Sequence, residues 1–109
     1  MRALELDTQS AGQFAFYAAR DARMRNAAQK SHYTAEQQLR AERMRVMLDT
    51  VYSAKKVYIN YRQKFIAVKL EFATVRDRAL VRVLEADYAQ EGIEKTVSAQ
   101  GITYRIPKA

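Results

Sequence analysis

The sequence predicts a mainly all-α protein: a long amphipathic helix or a helical hairpin with a coiled-coil-like seam, plus a short C-terminal β-strand or hairpin tail. Two observations favour this fold class. No glycine or proline occurs between Gln13 and Glu91, so this run lacks the residue types that most often interrupt helices. Within it, apolar residues recur at alternating steps of three and four, as they do along one helix face. The 109 residues indicate a single domain, 1–109.

A first helix is predicted over residues 11–31, a stretch rich in alanine, the residue with the highest helix propensity. The segment from Ser31 to Thr34 is the best candidate for a break. Thr34 and Gln37 match a capping box, the side-chain exchange that begins many helices. Two alternatives stay open: the helix continues straight through, or the chain turns and a second helix begins at Thr34.

A long helix is predicted over residues 34–91, with a weaker candidate break near 60–64. One short helix cannot cover the apolar seam of such a rod, so we expect the seam to be an interface. The seam residues are Met44, Met47, Val51, Tyr58, Tyr61, Phe65, Val68, Phe72 and Val75. The predicted basic face consists of Arg20, Arg23, Arg40, Arg43, Lys55, Arg62, Lys69 and Arg76.

A β-hairpin is the competing interpretation of the middle of this run. Residues 57–61 and 68–72 alternate in polarity and are rich in residues that favour strands. The segment between them, Arg62-Gln63-Lys64, lacks the residues typical of tight turns. The three-four spacing also continues through both stretches, and we therefore favour the helix.

A C-terminal strand tail is predicted over residues 92–109, with Gly92 as the left-handed cap that ends the long helix. Ile102, Tyr104 and Ile106 share one face of the predicted strand. A lone two-stranded hairpin is marginal in water, so we expect these residues to pair with the protein's own helices or with another chain.

No catalytic, cofactor-binding or metal-binding residue is predicted, and we do not expect an enzyme. The chain has one histidine and no cysteine, and its three glycines are isolated, so neither a zinc site nor a phosphate-binding loop is legible. The first residues lack the apolar core of a signal peptide, and no uncharged run approaches the roughly 20 residues that span a bilayer. The expected location is cytoplasmic or within an assembled particle.

These features indicate a non-enzymatic structural or assembly protein. A helical subunit would pack into a multi-chain complex or particle, such as a virion or secretion-apparatus component, through its Met/Tyr/Phe seam and its C-terminal strand. The expected partners are further copies of the chain, a larger protein assembly, or both.

The net charge of +7 supports an alternative function, a basic helical adaptor that binds nucleic acid non-specifically. In this interpretation Tyr52, Tyr58 and Tyr61 stack on bases. The residues that would meet phosphates are Arg20, Arg23, Arg25, Arg40, Arg43, Arg45, Lys55, Lys56, Arg62 and Lys64.

Overall fold

The computed structural model describes residues 19–108, which form a mixed α/β fold with three helices and two antiparallel sheets. Helix α1 covers residues 19–30 of the described chain. The other helices are α2 (Ala35–Val51) and α3 (Arg78–Gln90). The strands are β1 (Tyr52–Ser53), β2 (Lys56–Tyr61), β3 (Phe65–Glu71), β4 (Thr74–Val75), β5 (Glu94–Ser98) and β6 (Gly101–Pro107).

The predicted all-α fold, with its long helix and coiled-coil seam, is wrong. The segment predicted as one helix over 34–91 contains helices of 17 and 13 residues, and strands β1 to β4 lie between them. The hairpin that the sequence analysis set aside is the observed structure, as β2 and β3. Part of the predicted first helix, residues 11–18, lies outside the described residues.

Local sequence sets the start of α2. The Thr34 hydroxyl accepts a hydrogen bond from the Gln37 amide at 3.1 Å, and the Gln37 side chain accepts one from the Thr34 amide at 2.8 Å. This is the capping box that the sequence predicts, and it satisfies amides that a helix leaves without partners. The chain therefore breaks between α1 and α2 and does not run through as one helix.

The β2–β3 hairpin turns at Gln63 and Lys64 without a glycine. Neither residue has a positive φ, so the turn is not of the type that Asn-Gly sequences favour. The Arg62 amide donates to the Phe65 carbonyl at 2.9 Å. The Tyr33 hydroxyl, in the α1–α2 connection, donates to the Arg62 carbonyl at 2.6 Å. A tertiary contact thus supports a turn for which the local sequence gives no signal.

The larger sheet has the strand order β2-β3-β6-β5, and every neighbouring pair is antiparallel. The C-terminal strands belong to this sheet and are not an appended tail. At Gly101, where β6 begins, a Cβ atom would collide with the Leu70 carbonyl, so the close approach of β6 to β3 requires glycine. The three residues predicted to pair have the Cα partners Ile102↔Leu70, Tyr104↔Val68 and Ile106↔Ile66.

One face of this sheet, the inner face, packs against α2 and α3. Leu48 of α2, Val68 of β3 and Val81 of α3 belong to the same cluster of buried side chains. The helices present one apolar side to the sheet, and each strand contributes every second residue. The strand residues of the inner face are Val57, Ile59, Tyr61, Ile66, Val68, Leu70, Ile102, Tyr104 and Ile106.

A polar cluster lies within the inner face. The hydroxyls of Tyr52 and Tyr104 are 3.0 Å apart, and Tyr104 donates to Glu85 at 3.2 Å. The Lys95 ammonium forms an ion pair with the same carboxylate at 2.5 Å. Burial, followed by the hydrogen bond to Tyr52, raises the pKa of Tyr104 far above its usual range. Burial alone would lower the pKa of Lys95, but the hydrogen bond and charge of Glu85 help to raise it.

Candidate functional site

The second face of the four-stranded sheet carries the alternate residues of each strand, and within residues 19–108 none of them belongs to the cluster that packs against the helices. Ala67, in the middle of this face, is 1% exposed. We call it the open sheet face. The strand register sets these residues in rows that cross the sheet from β2 to β5. The rows are Lys56–Glu71–Gly101–Ser98, Tyr58–Lys69–Thr103–Thr96, and Asn60–Ala67–Arg105–Glu94, and Phe65 lies beside Pro107 at one end.

The open sheet face presents two aromatic rings, each beside a cation. The Lys56 ammonium lies 4.8 Å from the centre of the Tyr58 ring. The Arg105 guanidinium carbon lies 5.5 Å from the centre of the Phe65 ring. Both rings are half-buried, so each is supported by its neighbours and still reaches solvent. This arrangement can bind a flat, anionic ligand, because the ring offers a stacking surface and the cation attracts negative charge.

Two depressions lie at opposite ends of this face. One, of about 430 Å³, is lined by Tyr58, Lys69 and Thr103 together with the Phe72 turn. The other, of about 200 Å³, is lined by Phe65, Arg105 and residues around them. Each aromatic residue therefore borders a concave surface. We call Tyr58 with Lys56 the Tyr58 station and Phe65 with Arg105 the Phe65 station. Tyr58 lies opposite Lys69, and Phe65 and Lys69 are four residues apart on β3, so the two stations are separated along the strands by about 13 Å at 3.3 Å per residue.

Positive charge dominates the open sheet face and its rim. The face carries Lys56, Lys69 and Arg105 against two carboxylates, Glu71 and Glu94. Within residues 19–108 the salt bridges join other pairs, namely Arg40–Glu91, Arg45–Glu42 and Lys95–Glu85. The cations of the face therefore form no close ion pair in this part of the chain, although Glu71 lies opposite Lys56 and Glu94 lies opposite Arg105. The rim adds Lys55, Arg62 and Lys64.

The protonation state of Tyr58 is set by its surroundings. Burial and then the nearby Glu71 carboxylate raise the pKa of the Tyr58 hydroxyl, and the charge of Arg62 opposes the shift in part. The hydroxyl therefore stays protonated at neutral pH and can donate a hydrogen bond.

The structure does not bring the predicted seam residues together. Met44 and Val51 lie on the buried side of α2, and Tyr61 and Val68 lie on the inner face of the sheet. Tyr58 and Phe65 lie on the open sheet face instead. The remaining members lie on the surface: Met47 is 40% exposed, Phe72 is 59% exposed and Val75 is 45% exposed. The seam therefore divides among the core, the open sheet face and three other surface positions.

The predicted basic face is divided as well. Lys69 lies in the middle of the open sheet face, while Lys55 and Arg62 lie at its rim. The others lie on α1 (Arg20, Arg23), on α2 (Arg40, Arg43) and in the connection that precedes α3 (Arg76). Of the tyrosines proposed to stack on bases, Tyr52 and Tyr61 are buried and only Tyr58 reaches the open sheet face.

The sequence analysis missed Thr103 and Arg105. Both alternate with Ile102, Tyr104 and Ile106, which it had placed on one face. The same period of two assigns Thr103 and Arg105 to the opposite face, so the signal was present in the tail.

Within residues 19–108, no group of three histidine, cysteine, aspartate or glutamate side chains could hold a metal ion. None of the helices in that range is long and apolar enough to cross a membrane.

No protein family model matches the chain, and no curated protein or solved structure is significantly similar to it. The arrangement of side chains on the open sheet face is therefore the basis for the proposed function.

Proposed function

We propose that the protein binds single-stranded nucleic acid on the open sheet face. The observation that carries the proposal is the pairing of Tyr58 and Phe65 with Lys56 and Arg105 on a sheet face against which no helix of residues 19–108 packs its core side chains. Proteins that bind single strands combine a positive surface, which follows the phosphates, with aromatic rings on which bases stack. The net charge of +7 adds long-range attraction for the same ligand.

The geometry favours unpaired bases over a duplex. Stacking on Tyr58 or Phe65 requires a base whose flat surface is free, and duplex bases are already stacked on each other. The stations are about 13 Å apart, several times the 3.4 Å spacing along one strand of a duplex. We therefore expect the two rings to hold bases that are not neighbours in the strand. Lys69 and Thr103, which lie in the same row as Tyr58, would face the sugar-phosphate chain beside the base held there.

The test is fluorescence anisotropy with a labelled oligothymidylate and a duplex of equal length. Tyr58→Ala and Phe65→Ala should each weaken single-strand binding by about 5- to 150-fold, since one stacked base contributes about 1–3 kcal/mol. Affinity should also fall steeply with added salt as phosphate contacts release counterions.

Two matched controls identify the face. Val83→Ala removes an exposed apolar side chain from α3, and Arg82→Ala removes an exposed cation from that helix. Both should bind the oligothymidylate within about twofold of the unmodified protein, because surface changes away from a site have small effects. The proposal fails if Tyr58→Ala and Phe65→Ala behave like Val83→Ala, or if the duplex binds as tightly as the single strand.

A groove between α2 and α3 favours a second function, self-association into a dimer. The groove has a volume of about 410 Å³, and Leu39 and Met47 on its wall are exposed by 50% and 40%. Its rim carries both signs of charge, including Glu36 and Arg43, for which the described residues contain no ion pair. Such a rim suits a second copy related by a twofold axis, because each Glu36 can face the Arg43 of the other copy.

Light scattering coupled to size exclusion tests this second function. A dimer should persist at high salt, since apolar contacts are not weakened by it, and Met47→Glu should convert it to a monomer. Val97→Glu is the matched control, because Val97 is exposed by 66% and lies on β5, away from the groove. A monomeric unmodified protein at micromolar concentration would exclude the dimer and leave the nucleic-acid proposal untouched.

A further inference from the structure

A further cavity lies at the edge of the sheet, between α1 and the β2–β3 hairpin. Its volume is about 450 Å³. The polar side chains that matter here are those of Arg25 and Gln29 from α1 and those of Asn60, Arg62 and Gln63 from the hairpin. Asn60 belongs to a row of the open sheet face, so the cavity adjoins the proposed strand path. We call it the α1–β2 pocket.

The walls of the pocket are fixed by hydrogen bonds. The Asn26 carboxamide accepts from the Tyr61 amide at 2.6 Å and donates to the Ile59 carbonyl at 3.3 Å. It thereby docks α1 on the free edge of β2. On the other wall, the Tyr33 hydroxyl holds the Arg62 carbonyl. The two arginines are thus carried by elements that are positioned before a ligand arrives, which lowers the entropy cost of binding.

The lining has the chemistry of an anion site. It offers two guanidinium groups and three carboxamides that are not used to dock α1, and no carboxylate lines it. Neither Arg25 nor Arg62 forms an ion pair within residues 19–108. Guanidinium groups match phosphate oxygens with pairs of parallel hydrogen bonds, and carboxamides can donate further ones. Without carboxylates the pocket is unsuited to a metal cation.

We propose that the α1–β2 pocket binds a phosphate group, held by Arg25 and Arg62. The phosphate can belong to a nucleic-acid strand that leaves the sheet face across β2, or it can be a free phosphate. The strand source rests on the proposed function, whereas the chemistry of the pocket does not. In the strand case, Arg62 joins the two sites, because it lies at the rim of the open sheet face and also lines the pocket.

The experiment is an amide NMR titration of the full chain at constant ionic strength, first with inorganic phosphate and then with a short oligothymidylate. Phosphate should produce saturable shifts at the Asn60 and Gln63 amides. Arg25→Gln and Arg62→Gln should each weaken phosphate binding roughly tenfold or more, as expected when a charged hydrogen bond is lost. Arg23→Gln is the matched control, since Arg23 is exposed on the same helix but does not line the pocket, and it should change binding less than about twofold.

Asn26→Ala provides a second variant that keeps both arginines. It removes the hydrogen bonds that dock α1 and should weaken phosphate binding in the same direction. Saturable phosphate shifts without oligothymidylate binding would keep the pocket as a free-phosphate site and reject the proposed function. Oligothymidylate binding that depends on Tyr58 but is affected equally by Arg25→Gln and Arg23→Gln, with no phosphate shifts, would overturn the pocket and keep the proposed function.

Discussion

Lys69 and Leu70 are neighbours on β3, yet they lie on opposite faces of the same sheet. Leu70 is 1% exposed, belongs to the core cluster and pairs with Ile102. Lys69 pairs with Thr103 on the open sheet face and is not part of the core cluster. The inner face thus joins the sheet to its helices, and the open sheet face leaves aromatic and cationic groups available. Stability and ligand binding should therefore depend on alternate residues of one strand.

The largest effect should come from Leu70→Ala. Removing its buried side chain should lower the free energy of unfolding by about 2–5 kcal/mol, because burial is lost and a cavity remains. Lys69→Ala should change the same quantity by less than about 0.5 kcal/mol, as is usual at surface positions. Urea denaturation followed by circular dichroism measures both. Similar losses of unfolding free energy for the two variants would show that the open sheet face also contributes to stability. The contrast between the faces would then be wrong.

A smaller effect should come from Tyr104→Phe, which sharpens the contrast within the inner face. The Tyr104 hydroxyl bonds to Tyr52 and Glu85, so its removal should cost about 1–3 kcal/mol of unfolding free energy. Tyr61→Phe is the matched control, because the Tyr61 hydroxyl is buried without a hydrogen-bond partner in the described chain. Its removal should leave stability unchanged or raise it.

The same pair of variants should differ at alkaline pH. The folded pKa of Tyr104 is raised, so above the usual tyrosine value of about 10 the unfolded chain releases a proton that the folded chain retains. The stabilisation is complete below that pH and is lost as pH rises, and Lys95, whose pKa is also raised, acts in the same direction. Tyr104→Phe should flatten the alkaline decline in unfolding free energy more than Tyr61→Phe does. Equal slopes would contradict the assigned environment of Tyr104.

The sequence contained part of this fold. The capping box at Thr34 and Gln37 marks the start of α2 correctly, because it depends on a local exchange of hydrogen bonds. The middle of the chain misled because a step of three residues, which keeps one face of a helix, crosses to the other face of a strand: Tyr58 and Tyr61 belong to opposite faces. The weaker candidate break near 60–64 is where the chain turns, but the lack of typical turn residues argued against a hairpin there, and the Tyr33 hydroxyl supports that turn from another segment. Contacts between distant segments are not legible from local sequence.

The sequence predicted some residue types of the candidate site but not their arrangement. The excess of basic residues and Tyr58 were recognised as features that suit nucleic acid, but they were placed on a helix. Bringing Phe65 and Arg105 together requires the pairing of β3 with β6, strands that are far apart in the chain. That pairing follows from burial of alternate residues under α2 and α3, which no single segment specifies. The tail alone could have assigned Arg105 to the exposed side, but not its aromatic neighbour.

The docking of Asn26 on β2 has a consequence for the behaviour of the protein in a crowded solution. An outer strand with unpaired amides and carbonyls can template edge-to-edge aggregation. On β2 the Asn26 side chain occupies two of these groups, as an added strand would. On the opposite outer strand, β5, Lys95 points to the inner side, a placement that discourages another strand from joining. Both edge strands of the sheet therefore carry features that disfavour pairing with a strand from another molecule. The exposed aromatic rings of the sheet can thus face solvent without promoting fibre formation.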